Sequence, residues 1–222
     1  MKIPFTVDEF FHIFEVYNLS IWPFQLVLYA LAIGAVILAL KGGRRTSQIV
    51  FFILTIFWTW SGLIYHINYF ATINPIAYFF GAIFLLQGAI FFYVGVIRSQ
   101  IELGFMPRAA HVLGVVLVLY SLLIYRMIGH YQGHLFPKAP TFGVPCPTTI
   151  FTFGILLFSV QRVPWYVFII PLLWSLVGFS AATRLSVVED YGLFIFGILA
   201  AVFLLSDHKK LFAGKRHNQT TP

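Results

Sequence analysis

The chain has 222 residues, of which 60% are hydrophobic and only 9% are charged, whereas soluble domains carry about 25% charged residues. This composition, with several apolar runs of about 20 residues, excludes a soluble globular protein and predicts an all-α, multi-pass membrane protein with a single domain over residues 1–222. The formal net charge is +7, but the basic residues lie in short connections between apolar runs, which is typical of topology signals rather than of nucleic-acid binding.

The first predicted element is a short amphipathic helix over residues 5–18. Thr6 and Glu9 match a capping box, and Phe10 and Phe14 recur at helical spacing on one face. The acidic residues lie away from that face, so we expect this helix to rest on the membrane surface.

Seven membrane-spanning helices are predicted after this element. Their boundaries come from the apolar runs and from the basic, proline and glycine residues between them. The predicted spans are residues 21–40, 48–69, 76–97, 109–128, 148–161, 164–182 and 191–206, followed by a basic tail over residues 207–222.

The distribution of basic residues predicts the orientation of this bundle. If the connection after the first span is cytoplasmic, ten of the fourteen Lys and Arg residues lie inside. The positive-inside rule then places the N-terminus outside and the C-terminal tail in the cytoplasm. The residues on the predicted inside are Lys41, Arg44, Arg45, Arg98, Arg108, Arg162, Lys209, Lys210, Lys215 and Arg216.

The third predicted span carries Gly81, Gly88 and Gly95 at heptad spacing. Small residues on one face allow membrane helices to approach closely. We therefore expect this face to pack tightly against another helix, and it also offers a surface for oligomer formation.

The segment from Arg126 to Thr149 interrupts the apolar sequence with four prolines, two histidines and the only cysteine. The span that follows has thirteen residues from Thr148 to Val160, which is roughly 20 Å of helix against a hydrocarbon core of about 30 Å. We therefore expect a proline-rich re-entrant segment that places Cys146 below the outer membrane surface, at the start of a short fifth helix.

Polar and ionisable side chains converge on the predicted outer side of the bundle. Such groups are costly in a membrane unless they are paired or functional. The candidate ligands for a solute or metal ion are His66, His130, His134, Cys146, Glu189 and Asp190. The candidate supporting residues are Tyr65, Asn68, Arg126, Thr148, Thr149 and Arg184.

Structural roles for several of these residues stay open. Arg126 and Arg184 can pair with Glu189 or Asp190, and the helix dipole favours acidic residues at a helix start. Cys146 can be a ligand for a soft metal ion or a small, inert residue at a kink.

Four short motifs resemble a known family. They are Trp58-x-Trp60, Tyr65-His66, Asn74-Pro75, and Pro-Cys-Pro-Thr-Thr at residues 145–149, which precedes a helix rich in Phe, Gly and Leu. Together they are similar to a family of small bacterial multi-pass membrane proteins catalogued as a domain of unknown function, over nearly the whole chain. The resemblance implies an integral protein of the bacterial inner membrane and assigns no activity.

The sequence thus predicts an inner-membrane protein whose outward pocket binds or transports a metal ion, such as zinc or copper, or a small solute. Two alternatives stay open, beside a plain structural or assembly role. One is a membrane-embedded, metal-dependent hydrolase that uses His66, His130, His134 and an acidic residue as ligands. The other is a redox protein with a b-type haem between His66 and His130. The expected partners are the lipid bilayer and the solute or metal ion, without nucleic acid.

Overall fold

The computed structural model describes residues 4–217, with side-chain positions described through residue 206. Within this part of the chain all regular secondary structure is helical, which confirms the all-α part of the predicted fold class. The predicted basic tail lies outside the residues whose side chains are described. The helices are α1 Val7–Ile21, α2 Phe24–Lys41, α3 Arg44–Trp60, α4 Ala77–Phe91, α5 Ala109–Leu119, α6 Tyr125–Tyr131, α7 Pro145–Leu157, α8 Ile169–Leu185 and α9 Asp190–His217.

Several of these helices continue into π-helical segments without a break. α3 continues through Ser61–Tyr69, α4 continues through Phe92–Ile97, and Tyr120–Ile124 joins α5 to α6. π turns are rare and are frequent at functional sites. The first π segment is the one that carries Tyr65 and His66.

Four continuous helices of the described chain are long and apolar enough to cross a membrane: Phe24–Lys41, Arg44–Thr72, Ala77–Ile97 and Ala109–Tyr131. They correspond to the first four predicted spans. Three shorter apolar helices, Pro145–Leu157, Ile169–Leu185 and Asp190–Ser206, correspond to the other predicted spans. The outer faces of the long helices are apolar as well, since large side chains such as Ile37 and Phe79 are each 61% exposed. A surface of this kind suits lipid rather than water.

The short helix α7 lies at the centre of the bundle. It packs against α3, α5, α8 and α9, and every residue from Pro147 to Leu157 is buried. Its closest approach is to α5, where Gly114 and Gly154 face each other. A Cβ atom added at Gly114 would lie 2.9 Å from the Gly154 carbonyl oxygen, and one added at Gly154 would lie 3.0 Å from that of Gly114. The two backbones therefore touch without side chains between them.

The proline-rich connection before α7 folds against α1 and α2. The Asn18 side-chain amide donates to the carbonyl oxygens of Pro137 (2.6 Å) and Ala139 (2.8 Å). The Gln25 amide donates to the Asn18 side-chain oxygen (2.6 Å) and to the Thr141 hydroxyl (3.1 Å). Non-helical backbone among apolar helices must have its polar groups satisfied within the protein. This network meets that requirement for part of a segment whose residues 139–145 are all buried.

The glycine face of α4 is used inside the chain. A Cβ atom at Gly81 would lie 3.0 Å from the Gly62 carbonyl oxygen, and one at Gly95 would lie 2.1 Å from Phe51 Cγ. Gly88 packs against α3 in the same way. The predicted tight packing is therefore present within one chain, and this face is not free for the predicted oligomer.

α1 begins at the predicted capping box. The Thr6 amide donates to the Glu9 carboxylate (2.7 Å), and the Glu9 amide donates to the Thr6 hydroxyl (3.2 Å). The hydrogen bonds from Thr6 lower the pKa of Glu9. The aromatic face of the helix packs on the protein rather than on a membrane surface, since Phe14 stacks on Tyr65 with ring centroids 5.7 Å apart. α1 is thus a part of the bundle.

Candidate functional site

A cavity of about 660 Å³ lies at the end of the bundle that carries α1. We call this end the α1 end. Residues of α1, the π segment after α3, α4, α7, α8 and the first residue of α9 line the cavity. Cavities of about 300–1,000 Å³ are the usual size for sites that bind small organic molecules. This volume therefore suits a small solute rather than a single ion.

The walls of the cavity are largely aromatic. The exposed lining residues, which include Ile76 and Arg184, mark its mouth, and the buried ones form its floor. Aromatic walls provide apolar contact area and negatively polarised ring faces. The Phe, Tyr and Trp residues of the lining are Phe5, Phe10, Phe14, Tyr65, Phe70, Phe80, Tyr125 and Trp174.

Asp190 supplies the acidic group of the floor and is only 2% exposed. The Tyr125 hydroxyl donates to its carboxyl group at 2.6 Å. None of the ion pairs between described residues involves Asp190. Burying an ionised carboxylate without a counter-charge costs several kcal/mol. The carboxyl of Asp190 is therefore the floor group with the greatest need for a partner.

His66 and Trp174 carry further unpartnered polar atoms. His66 is 1% exposed, and neither of its ring nitrogens has a hydrogen-bond partner among the described residues. The indole nitrogen of Trp174 is also buried without an acceptor there, and the two rings lie 5.1 Å apart. Each unsatisfied buried polar group costs about 1–3 kcal/mol. A bound molecule that hydrogen-bonds to His66 would remove part of that cost.

Glu189 belongs to a separate pair beside the cavity. Its carboxylate lies 3.2 Å from His134 Nδ1 and is fully buried, and the ring of Phe11 packs 4.3 Å from the His134 ring. Burial raises the pKa of Glu189, and the neighbouring His134 opposes that shift. Neither residue lines the cavity. The pair joins the segment after α6, on which Phe11 of α1 packs, to the connection before α9.

The structure brings five of the predicted site residues to the cavity: Tyr65, His66, Cys146, Arg184 and Asp190. Tyr65 and His66 belong to the second predicted span, Cys146 and Asp190 lie just before the fifth and seventh, and Arg184 lies just after the sixth. The prediction that Cys146 lies at the start of a short helix is confirmed, because α7 begins at Pro145.

The other predicted residues lie elsewhere. Asn68 and His130 are exposed outside the cavity, and Arg126 is exposed with its guanidinium 5.9 Å from the Phe136 ring centroid. Thr148 and Thr149 are buried within α7 and leave the helix start without a side-chain cap. Thr149 instead donates to the carbonyl oxygen of Pro145 at 2.8 Å.

The described residues contain no group of three or more His, Cys, Asp or Glu side chains that could hold a metal ion. His66 and His130 do not share the cavity, and His134 is paired with Glu189. The geometry of this part of the chain therefore gives no support to the zinc or copper site. It also gives none to a ligand set that combines the three histidines.

Tyr125 and Trp174 are the site residues that sequence reasoning missed. Both lie inside apolar spans, where a buried Tyr hydroxyl or Trp N–H needs a hydrogen-bond partner. That requirement is a signal that could have singled them out. The neighbouring Arg126 is the predicted site residue in that region instead, because a charged group is more costly in a membrane than a hydroxyl or an indole N–H.

Comparison with known proteins gives one family. Residues 7–215 match the family described as "Family of unknown function (DUF6064)". No curated protein and no solved structure matches the chain.

Proposed function

The chain belongs to the DUF6064 family of unknown function, and we propose that it is an integral membrane protein that binds a small, largely apolar solute in the cavity at the α1 end. One observation carries this proposal. The cavity of about 660 Å³ joins aromatic walls to a floor of buried polar groups, of which His66 and Trp174 have polar atoms without a partner among the described residues. Binding at this site would be the first step of solute transport.

The proposal includes seven membrane crossings. α7 starts at the cavity and ends at the opposite end of the bundle, where the Gly104 amide donates to the Phe158 carbonyl (3.0 Å) and the Val160 amide donates to that of Glu102 (2.9 Å). Its thirteen residues extend roughly 20 Å, so the buried connection before it completes the crossing. α8 and α9 supply the remaining two membrane crossings.

We propose the bacterial inner membrane, which the motif resemblance implies, and we place the α1 end outside and the basic tail inside on the ten-to-four asymmetry of basic residues. A reporter enzyme that is active only in the cytoplasm should then work when fused after Pro222. The same reporter should fail when fused before Met1. The opposite pattern would place the mouth of the cavity on the cytoplasmic side.

The cavity binds its solute by complementary chemistry at its two ends. The apolar body of the solute packs on the aromatic walls, where removal of apolar surface from water is favourable. The polar head of the solute reaches the floor, where His66 and Asp190 offer hydrogen bonds. Metal-dependent hydrolysis and a b-type haem stay predictions that no described cluster of residues supports.

Reactivity of Cys146 tests this site without an engineered background, because it is the only cysteine. Its side chain is partly exposed and lines the cavity. Methyl methanethiosulfonate, a small thiol reagent, should modify it in folded protein, whereas fluorescein maleimide should react poorly. A saturating small solute with an apolar body should slow the small reagent by about tenfold or more. Suitable probes are 4-phenylbutanol, 4-phenylbutylamine and 4-phenylbutyrate, and the modified fraction is measured by mass spectrometry against time.

A second cysteine position provides the control. Ser20 is exposed on α1 and does not line the cavity, so a thiol placed there by Ser20→Cys in a Cys146→Ser chain should react at a rate that none of the probes changes. Modification of Cys146 only after unfolding, or a rate that none of the three probes slows, would contradict the proposed function.

A further inference from the structure

We propose that the solute carries a protonated amine and that Asp190 is the counter-charge that binds it. This inference rests on the proposed function and names the chemical class of its solute. It follows from the buried carboxyl group of Asp190 at the floor of the cavity and from the lack of a basic partner for it among the described residues.

Among the described residues, a hydroxyl group hydrogen-bonds to Asp190 and no basic group forms an ion pair with it. The Tyr125 hydroxyl donates at 2.6 Å, and it is neutral when it donates. The adjacent Glu189 is an acid too and is already paired with His134. The floor is therefore short of one positive charge, which a bound ammonium group would supply.

His66 is an independent observation that favours the same ligand. It is almost fully buried, it lines the cavity, and both ring nitrogens lack partners among the described residues. An ammonium group has three N–H donors and no acceptor. The carboxylate of Asp190 and an unprotonated nitrogen of the His66 ring are both acceptors of the kind that such a group needs.

The aromatic walls suit a cation as well as an apolar body. The faces of Trp, Tyr and Phe rings attract cations through their quadrupole, and Tyr65 and Trp174 both lie near the floor. A hydroxyl or carboxylate head would gain nothing from these faces. The walls and the floor of the cavity thus both favour a protonated amine as the head group.

Arg184 is the charged group that opposes this choice. It lines the same cavity, but its side chain is exposed, whereas Asp190 is buried at the floor. Solvent screens the field of an exposed charge far more than that of a buried one. Asp190 therefore decides the charge of the head group that reaches the floor.

A matched series of three probes tests the inference at neutral pH. 4-Phenylbutylamine, 4-phenylbutanol and 4-phenylbutyrate share one body and differ in the head group, and the amine stays protonated there as a lysine side chain does. Calorimetry on the full chain in detergent should show that the amine binds about 10- to 100-fold more tightly than the alcohol, the range for one charge-assisted hydrogen bond. The carboxylate should bind more weakly than both.

The variant Asp190→Asn should remove the preference for the amine over the alcohol. Asparagine keeps an oxygen that can accept from Tyr125. Asp8 is exposed on α1 and does not line the cavity, so Asp8→Asn is the matched control and should change nothing. The comparison of probes on the unmodified chain remains decisive even where Asp190→Asn fails to fold.

Equal affinities for the amine and the alcohol would overturn this inference, because they would mean that a proton, not a ligand, neutralises Asp190. Tighter binding of 4-phenylbutyrate than of 4-phenylbutylamine would overturn it as well, and it would mean that Arg184 binds the head group. In both cases the cavity would still bind a solute, and the proposed function would stand. Protection of Cys146 by none of the three probes is the different result that removes the proposed function itself.

Discussion

Replacing Gly154 by alanine should lower the free energy of unfolding by about 1–3 kcal/mol, the usual cost of overpacking a close contact. The new Cβ atom would lie 2.9 Å from Val118 Cγ2 and 3.0 Å from the Gly114 carbonyl oxygen. Neither atom belongs to a long, flexible side chain, so α5 and α7 would have to separate. Thermal unfolding of the purified chain in detergent, followed by circular dichroism, measures the loss.

Two further variants identify the helix crossing as the cause. Gly34→Ala is the matched control, since no atom lies within 4 Å of the added Cβ, and it should be neutral or stabilising by up to about 1 kcal/mol. Gly114→Ala should cost about as much as Gly154→Ala, and the double variant should cost less than the sum, because one separation accommodates both methyl groups. Unchanged stability of Gly154→Ala would contradict the central place of α7 in the bundle.

Most of the helical fold could be predicted from the sequence, because its signals are local. Apolar runs of about 20 residues report membrane helices directly, and the capping box of Thr6 and Glu9 determines where α1 begins. The position of α1 could not be predicted in the same way. Its aromatic face suits a membrane surface as well as it suits Tyr65, and only the folded chain decides between the two.

The candidate site could be predicted only in part. Cys146 and Asp190 follow from a cysteine between two prolines and from an acidic residue at a helix start. The hydrogen bond from Tyr125 to Asp190 depends on how α6 is rotated against α7 and α9. No spacing in the sequence indicates that rotation. The three histidines share a predicted depth, yet His134 and His130 lie outside the cavity, because depth does not tell which face of a segment a side chain occupies.

Replacing His66 by phenylalanine should stabilise the empty protein and weaken solute binding. The ring packs against Phe84 (4.8 Å between centroids) and Trp174 (5.1 Å), which suits a phenyl ring of similar shape. The change removes two buried nitrogens that have no partner among the described residues, so the free energy of unfolding should rise by about 1–3 kcal/mol. The hydrogen bond from the solute to His66 is lost, which should lower the affinity for 4-phenylbutylamine by about tenfold.

The most direct test of the solute-binding cavity is the dissociation constant of 4-phenylbutylamine for the unmodified chain and for His66→Phe, measured by calorimetry beside their unfolding midpoints. His130→Phe is the matched control, because His130 is exposed and does not line the cavity, and it should change neither quantity. The account predicts one saturable site, with weaker binding and a higher midpoint in His66→Phe. No saturable binding to the unmodified chain, or equal affinity in the His66→Phe variant, would contradict it.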